Sequence, residues 1–237
     1  MKNYNLLLVL FVFILLFSAS CDKDNLNNNG NIDLTNDRHW FFGFSGAITG
    51  GEGYDLMKSS TDNNMYVCGA FLHVAENRDM KNLARFGMDN FVWEVVLGID
   101  YYHNNFIRCV AEDNGGNLYF GGDFSTIAGI PAGKVARYNP STDDWSSLRD
   151  IDFYSEPEQY GPNSGGVYAI EVIGNFVYIG GGIFNSDSTE LRYLRRFNLS
   201  TNKWESIETY IDGRIKAMAK DNSGNLYIGG EFEKIGF

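Results

Sequence analysis

Apolar and polar positions alternate in four stretches of the chain, and a pair of small residues interrupts each stretch at the same point. The stretches read MYVCGAF (65–71), LYFGGDF (118–124), VYIGGGIF (177–184, one residue longer) and LYIGGEF (226–232). Alternation with period two is the mark of a β-strand with two unlike faces. Small residues inside a strand mark a place where another part of the chain passes close to the backbone. Each of the first three stretches is followed by a second apolar element: LARF (83–86), VARY (135–138) and LRRF (194–197). A tryptophan then stands seven residues beyond Phe86, Tyr138 and Phe197, at Trp93, Trp145 and Trp204. A further strand is expected before each small-pair strand, at Asp55–Ser59, Phe106–Glu112, Val167–Val172 and Arg214–Lys220. The turns DNGGN (113–117) and DNSGN (221–225) suit tight hairpins between those strands. No i, i+3, i+4 apolar spacing is sustained after residue 30, so no long amphipathic helix is expected.

The repeating unit is therefore strand, tight turn, small-pair strand, loop, aromatic strand, turn, Trp strand. Tyr66, Tyr119, Tyr178 and Tyr227 mark its period, with steps of 53, 59 and 49 residues. A four-strand unit of about 50 residues is the size of one propeller blade. The order of Gly pair, aromatic strand and Trp resembles the kelch and galactose-oxidase-like β-propeller family over residues 38–237. The resemblance implies an all-β fold of four-stranded antiparallel blades, and implies no activity. Two departures stand out: Cys68 replaces the first Gly of the first copy, and the third copy has a longer entry loop at 151–166.

The blades are expected at about 54–98, 106–149 and 166–209, with a partial blade at 213–237. Trp40 precedes Tyr66 by 26 residues, the interval that separates Trp93 from Tyr119. It therefore reads as the outer strand of a blade, with 39–45 a closing strand for the ring. On this reading the 237 residues hold three whole blades and two partial ones, and the propeller is incomplete within them. An open arc completed by a second copy, or a small four-blade ring, are the alternatives.

The first 37 residues carry a different pattern. Lys2 precedes an unbroken apolar run from Leu6 to Phe17, too short for a membrane-spanning helix and suited to a signal-peptide core. Ser18, Ala19 and Ser20 lead into Cys21, an arrangement that resembles a bacterial lipoprotein signal (residues 1–21), with Ser18 where that motif usually has Leu. The resemblance implies lipidation of Cys21, anchorage to the membrane, and location in the cell envelope, at the outer membrane and its exposed face. Residues 22–37 are rich in Asn and Asp with almost no apolar content, as in a flexible tether.

Composition narrows the chemistry. The net charge is −11, and the 19 Lys and Arg are scattered rather than clustered, which argues against nucleic acid. His39, His73 and His103 fall at unrelated points of the repeat, so no metal site and no cofactor are expected. Cys68 and Cys109 occupy positions held by Gly121, Gly180 and Gly229, and by Ala169 and Ala217, in other copies. They read as buried free thiols, although an oxidising envelope would permit a disulfide. Asp143 and Asp144 sit in a turn, without the separation across a cleft that glycoside hydrolysis needs. No nucleophile elbow or phosphate-cradling loop appears, and no catalytic residue is assigned.

Arg85, Arg137 and Arg196 recur at one repeat position and read as structural, stacked on the blade's Trp or paired with an acid such as Asp123 or Glu231. The recurring Tyr and Trp read as core. Binding is expected on the connecting loops 72–82, 99–105, 125–134, 151–166 and 185–193. The 151–166 insert is the most distinctive, with Tyr154, Glu156, Glu158, Tyr160 and Asn163 suited to a protein or glycan contact. The expected role is a non-catalytic binding or scaffolding module for protein or glycan. The alternatives are a piece of a glycan-active or oxidase-like propeller enzyme, or a structural part of an adhesin. An open blade edge would also allow self-association.

Overall fold

A computed structural model describes residues 48, 51–74, 80–96, 106–148, 166–184, 191–207 and 209–236. Cys21, the 22–37 tether, His39, Trp40, the 39–45 strand and His103 lie outside the described residues. So do Tyr154, Glu156, Glu158, Tyr160 and Asn163.

The described elements are all strands. Blade 1 is an antiparallel sheet of β1 (Glu52–Lys58), β2 (Asn64–Ala70), β3 (Leu83–Gly87) and β4 (Val92–Val95) in chain order. A short hairpin, β7 (Thr126–Ile127) and β8 (Ile130–Pro131), interrupts the second unit. Blade 2 is otherwise built from β5 (Ile107–Glu112), β6 (Leu118–Gly122), β9 (Val135–Asn139) and β10 (Asp144–Ser147), again in chain order. Blade 3 comprises β11 (Val167–Ile173), β12 (Phe176–Phe184), β13 (Leu191–Asn198) and β14 (Lys203–Ser206). The fourth unit pairs β16 (Ile215–Lys220) with β17 (Leu226–Gly230), and β15 (Tyr210–Ile211) with β18 (Ile235–Gly236).

Local chemistry accounts for the constant spacings. Phe91, Asp143 and Asn202 have positive φ, and each stands two residues before the blade's Trp. That left-handed residue closes the hairpin between the third and fourth strands and places the Trp opposite the aromatic of the third strand. The register is Phe86 with Trp93, Tyr138 with Trp145 and Phe197 with Trp204. The paired rings are 5.1, 4.8 and 5.2 Å apart.

The cores lie between blades. Tyr66, Leu83, Ile107, Val110, Phe120 and Tyr138 belong to one buried cluster that joins blades 1 and 2. Tyr119, Val135, Val167, Val177, Ile179 and Phe197 join blades 2 and 3. The first strands of successive blades touch one another, β1 with β5, β5 with β11 and β11 with β16, so they form the inner side of the array. Polar clamps reinforce the contacts. Glu112 of blade 2 accepts hydrogen bonds from the Ser59, Ser60 and Thr61 side chains and the Ser60 amide of blade 1. Trp204 donates its indole N–H to the Leu148 carbonyl at 2.8 Å, and Lys220 donates to the Val172 carbonyl at 2.7 Å.

Two expectations need correction. Tyr66 and Tyr119 are fully buried, but Tyr227 is 58% exposed. β17 has β16 as its one strand neighbour, and no further blade covers Tyr227 among the described residues. The arginines also find different acids. Arg85 pairs with Glu94 at 2.6 Å and Arg196 with Glu205 at 2.8 Å, each across the third and fourth strands. Arg137 donates to Asn117 instead. Asp123 and Glu231 sit at the far end of their strands, paired with Arg108 and Lys216. Arg196 stacks on Phe176, with its guanidinium carbon 4.6 Å from the ring centroid.

Candidate functional site

Every first strand carries a β-bulge at the same register. The pairing slips between Gly53 and Asp55, Ile107 and Cys109, Val167 and Ala169, and Ile215 and Ala217. A bulge leaves one residue unpaired and re-aims its side chain. The bulged residues are Tyr54, Arg108, Tyr168 and Lys216. The glycine pair belongs to this geometry. A Cβ on Gly122 would fall 2.1 Å from the Phe106 carbonyl oxygen, which accepts the Asp123 amide at 2.9 Å. A Cβ on Gly121 would fall 2.5 Å from Val167 of the next blade.

The four bulged side chains meet across blade boundaries. The Arg108 guanidinium carbon lies 5.0 Å from the Tyr54 ring centroid and 5.1 Å from that of Tyr168. The Lys216 ammonium lies 4.6 Å from the Tyr168 centroid. Aromatic and cation thus alternate along a ladder that crosses all four units, within the range of cation–π attraction. The cations have carboxylate partners at the end of the second strand. Arg108 Nε donates to Asp123 at 2.7 Å, and Lys216 is 3.5 Å from Glu231. In the Tyr-bearing blades that position holds Ala70 and Gly182. Lys134 supports Asp123 by donating to its carbonyl at 2.8 Å.

The ladder's electrostatics follow from its packing. Burial works against the charge on Arg108, but the hydrogen bond and charge of Asp123 outweigh it and hold the guanidinium above its ordinary pKa. Burial raises the Tyr54 hydroxyl, partly offset by Arg108. Tyr54 is therefore a neutral hydrogen-bonding group, not an activated base. Lys216 is exposed and ends the ladder toward solvent.

One residue along from the bulge, Asp55 takes the slot of Cys109, Ala169 and Ala217. Its carboxylate accepts the Leu56 amide at 2.8 Å and the Val110 amide of blade 2 at 2.9 Å. Burial nonetheless raises its pKa, because two hydrogen bonds do not replace the lost hydration. Cys68 and Cys109 are buried and free, and burial pushes both thiols up. Among the described residues no three His, Cys, Asp or Glu side chains converge as a metal site would require.

Sequence reading missed the ladder. Its signal was present: the residue just before Asp55, Cys109, Ala169 and Ala217 alternates Tyr, Arg, Tyr, Lys. The loops singled out instead join the chain at the same end of the blades as the ladder. Residue 165 is followed by Gly166, and Tyr168 is two residues further on.

No family model matches the chain, and no curated protein does. Solved structures do. A GH74 xyloglucanase from Xanthomonas campestris aligns at a TM-score of 0.50 and 15% identity, covering 78% of this chain and 28% of that one. The fold is that of β-propeller blades. The extracellular domain of a one-component system from B. thetaiotaomicron aligns at a TM-score of 0.43 and 16% identity, over 75% of this chain and 25% of its own. The chain thus spans about a quarter of the length of these structures, and at such identity the likeness concerns the fold alone.

Proposed function

We propose that this chain is an exported, envelope-anchored binding module without catalytic activity, and that it binds glycan on the bulged end of its inner strands. The ladder of Tyr54, Arg108, Tyr168 and Lys216 carries the proposal. Sugar recognition calls for aromatic faces beside fixed polar groups that satisfy ring hydroxyls. The ladder offers Tyr rings, a Tyr hydroxyl held neutral, and Arg108–Asp123 and Lys216–Glu231 pairs in one line. The 151–166 loop, with Tyr154, Glu156, Glu158, Tyr160 and Asn163, would add contacts at the same end. The lipoprotein-like signal ending at Cys21 supports anchorage by lipid, with the Asn- and Asp-rich segment as tether. The kelch-like order of Gly pair, aromatic and Trp supports a kelch-type origin for the blades.

A glycan array probed with the full chain and with Arg108→Ala and Tyr168→Ala variants tests this reading. Binding by the wild type that both variants lose, with unfolding curves retained, is the expected result. Equal binding by wild type and variants would overturn it, as would binding of envelope proteins and no glycan. Replacing Cys21 with Ser should abolish labelling by a radioactive fatty acid and release the protein from membranes.

A further inference from the structure

Blades 1 and 3 each align three residues across neighbouring strands: Tyr66, Arg85 and Glu94 in one, Tyr178, Arg196 and Glu205 in the other. In both, the arginine is ion-paired with the glutamate one strand outward. Blade 2 keeps Tyr119 and Arg137 at the same registers but places Ser146 opposite the arginine. Arg137 donates to the Asn117 side-chain oxygen at 2.7 Å, and no carboxylate pairs with it among the described residues. Where the glutamate is missing, a cleft of about 460 Å³ opens between blades 2 and 3. Arg137, Ser146, Ser147, Leu148, Phe197 and Asn202 line it. The Arg137 Nε is buried with no hydrogen-bond partner. Asp113 also faces the cleft, but its carboxylate is occupied by the amides of Gly115 and Asn117, the Asn117 side chain and the Tyr119 hydroxyl.

We propose that this cleft binds a small organic acid, whose carboxylate takes the place of the missing glutamate against Arg137. A guanidinium binds a carboxylate through a planar fork of N–H donors, and the two sister blades show the same guanidinium position holding one. The Ser146 hydroxyl, on the strand position opposite Arg137, supplies a further donor, and Leu148 and Phe197 supply an apolar wall for the body of the ligand. The volume lies at the low end for small-molecule sites, which run from roughly 300 to 1,000 Å³, and suits an acid of about one sugar ring. The cleft lies between blades 2 and 3 at the outer strands, away from the ladder, and the proposal stands without it.

Calorimetric titration of the full chain with glucuronate, and with glucose as the uncharged control, tests the assignment. The wild type should bind glucuronate and not glucose. Ser146→Glu should supply the carboxylate internally, as in the sister blades, and weaken glucuronate binding at least about tenfold while thermal stability is kept or raised. Arg137→Gln should weaken it similarly, giving a second readout if Ser146→Glu misfolds. Tyr54→Ala, in the ladder, should leave it unchanged. Glucuronate and glucose binding alike, undiminished binding by folded Ser146→Glu or Arg137→Gln, or no glucuronate binding by the wild type at millimolar concentration would each overturn the proposal.

Discussion

At the turn end of the blades, Tyr66, Tyr119 and Tyr227 each donate to the aspartate of the preceding hairpin, Asp62, Asp113 and Asp221, at 2.6, 2.9 and 3.1 Å. At the bulged end of the same strand pairs, one backbone position holds Tyr54, Arg108, Tyr168 and Lys216. The bulge repeats in all four units while its side chain varies; at the turn end, the first, second and fourth units repeat the same chemistry. Those three hairpins pose the same problem of amides and a carboxylate that need partners, and the same Tyr and Asp answer it, whereas blade 3 turns through Gly174 and Asn175 with no aspartate. The bulge poses no such problem for its side chain. The residues there vary in type while their geometry stays constant, which is the freedom a recognition surface needs.

The comparison breaks most visibly at the turn end. Tyr119→Ala should cost about 3–5 kcal/mol of stability, read as a lowered urea midpoint, because a fully buried ring is removed from the core between blades. Tyr119→Phe keeps the ring and should cost about 1 kcal/mol. A loss for Tyr119→Ala no larger than that for Tyr119→Phe would show that the hydroxyl, not the ring, is what the repeat preserves.

An intermediate effect is expected at Glu112, which grips the first hairpin from the second blade. Glu112→Ala should cost about 1–3 kcal/mol by stranding those donors. Its pH dependence sharpens the point. Hydrogen bonds hold Asp62, Glu112 and Asp113 below their ordinary values of 3.8, 4.5 and 3.8 despite burial. In that window the unfolded chain binds more protons, so their stabilisation is full above the ordinary carboxylate range and lost as pH falls through it. Asp55 has the opposite sign. Its pKa is raised by burial, so the folded state holds the proton more tightly and stability falls as pH rises from 3.8 through the folded value. Glu112→Gln should flatten the acid-side loss in denaturant titrations, and Asp55→Asn should steepen the rise of stability with pH. A Glu112→Gln profile superimposable on that of the wild type would remove Glu112 from this account.

The smallest effect belongs to the ladder. Lys216→Ala removes an exposed cation and a cation–π contact of about 0.5–1 kcal/mol, so thermal unfolding should shift by no more than that. A loss of several kcal/mol would mean that the ladder holds the blades together, and the contrast between the two ends would fail.

The blade itself was legible in the chain. Period-two alternation, the Gly pair and a Trp seven residues past an aromatic are local signals, and the hairpins that produce them close within a few residues. Register was not legible. Arg137 stands opposite Tyr119, and Asp123 lies four residues further along the chain, just past β6 and about 13 Å away at strand rise. Pairing that arginine with Asp123 required knowing which residues face each other, and this is set by the register between β6 and β9. The ladder escaped for the same reason. Its successive members are 48 to 60 residues apart and become neighbours only when successive first strands pack edge to edge.

Alternation, turn residues and composition by themselves determined strands, hairpins, repeat length and an all-β array, because each follows from contacts between residues close in the chain. Tertiary structure alone decided that four bulged residues would stack as Tyr, Arg, Tyr and Lys, and that Arg137 would face a cleft where its sisters face a glutamate. Both depend on packing between blades. A change of one residue type, Ser146 for glutamate, has no local signature until the neighbouring strand shows what stands across from it.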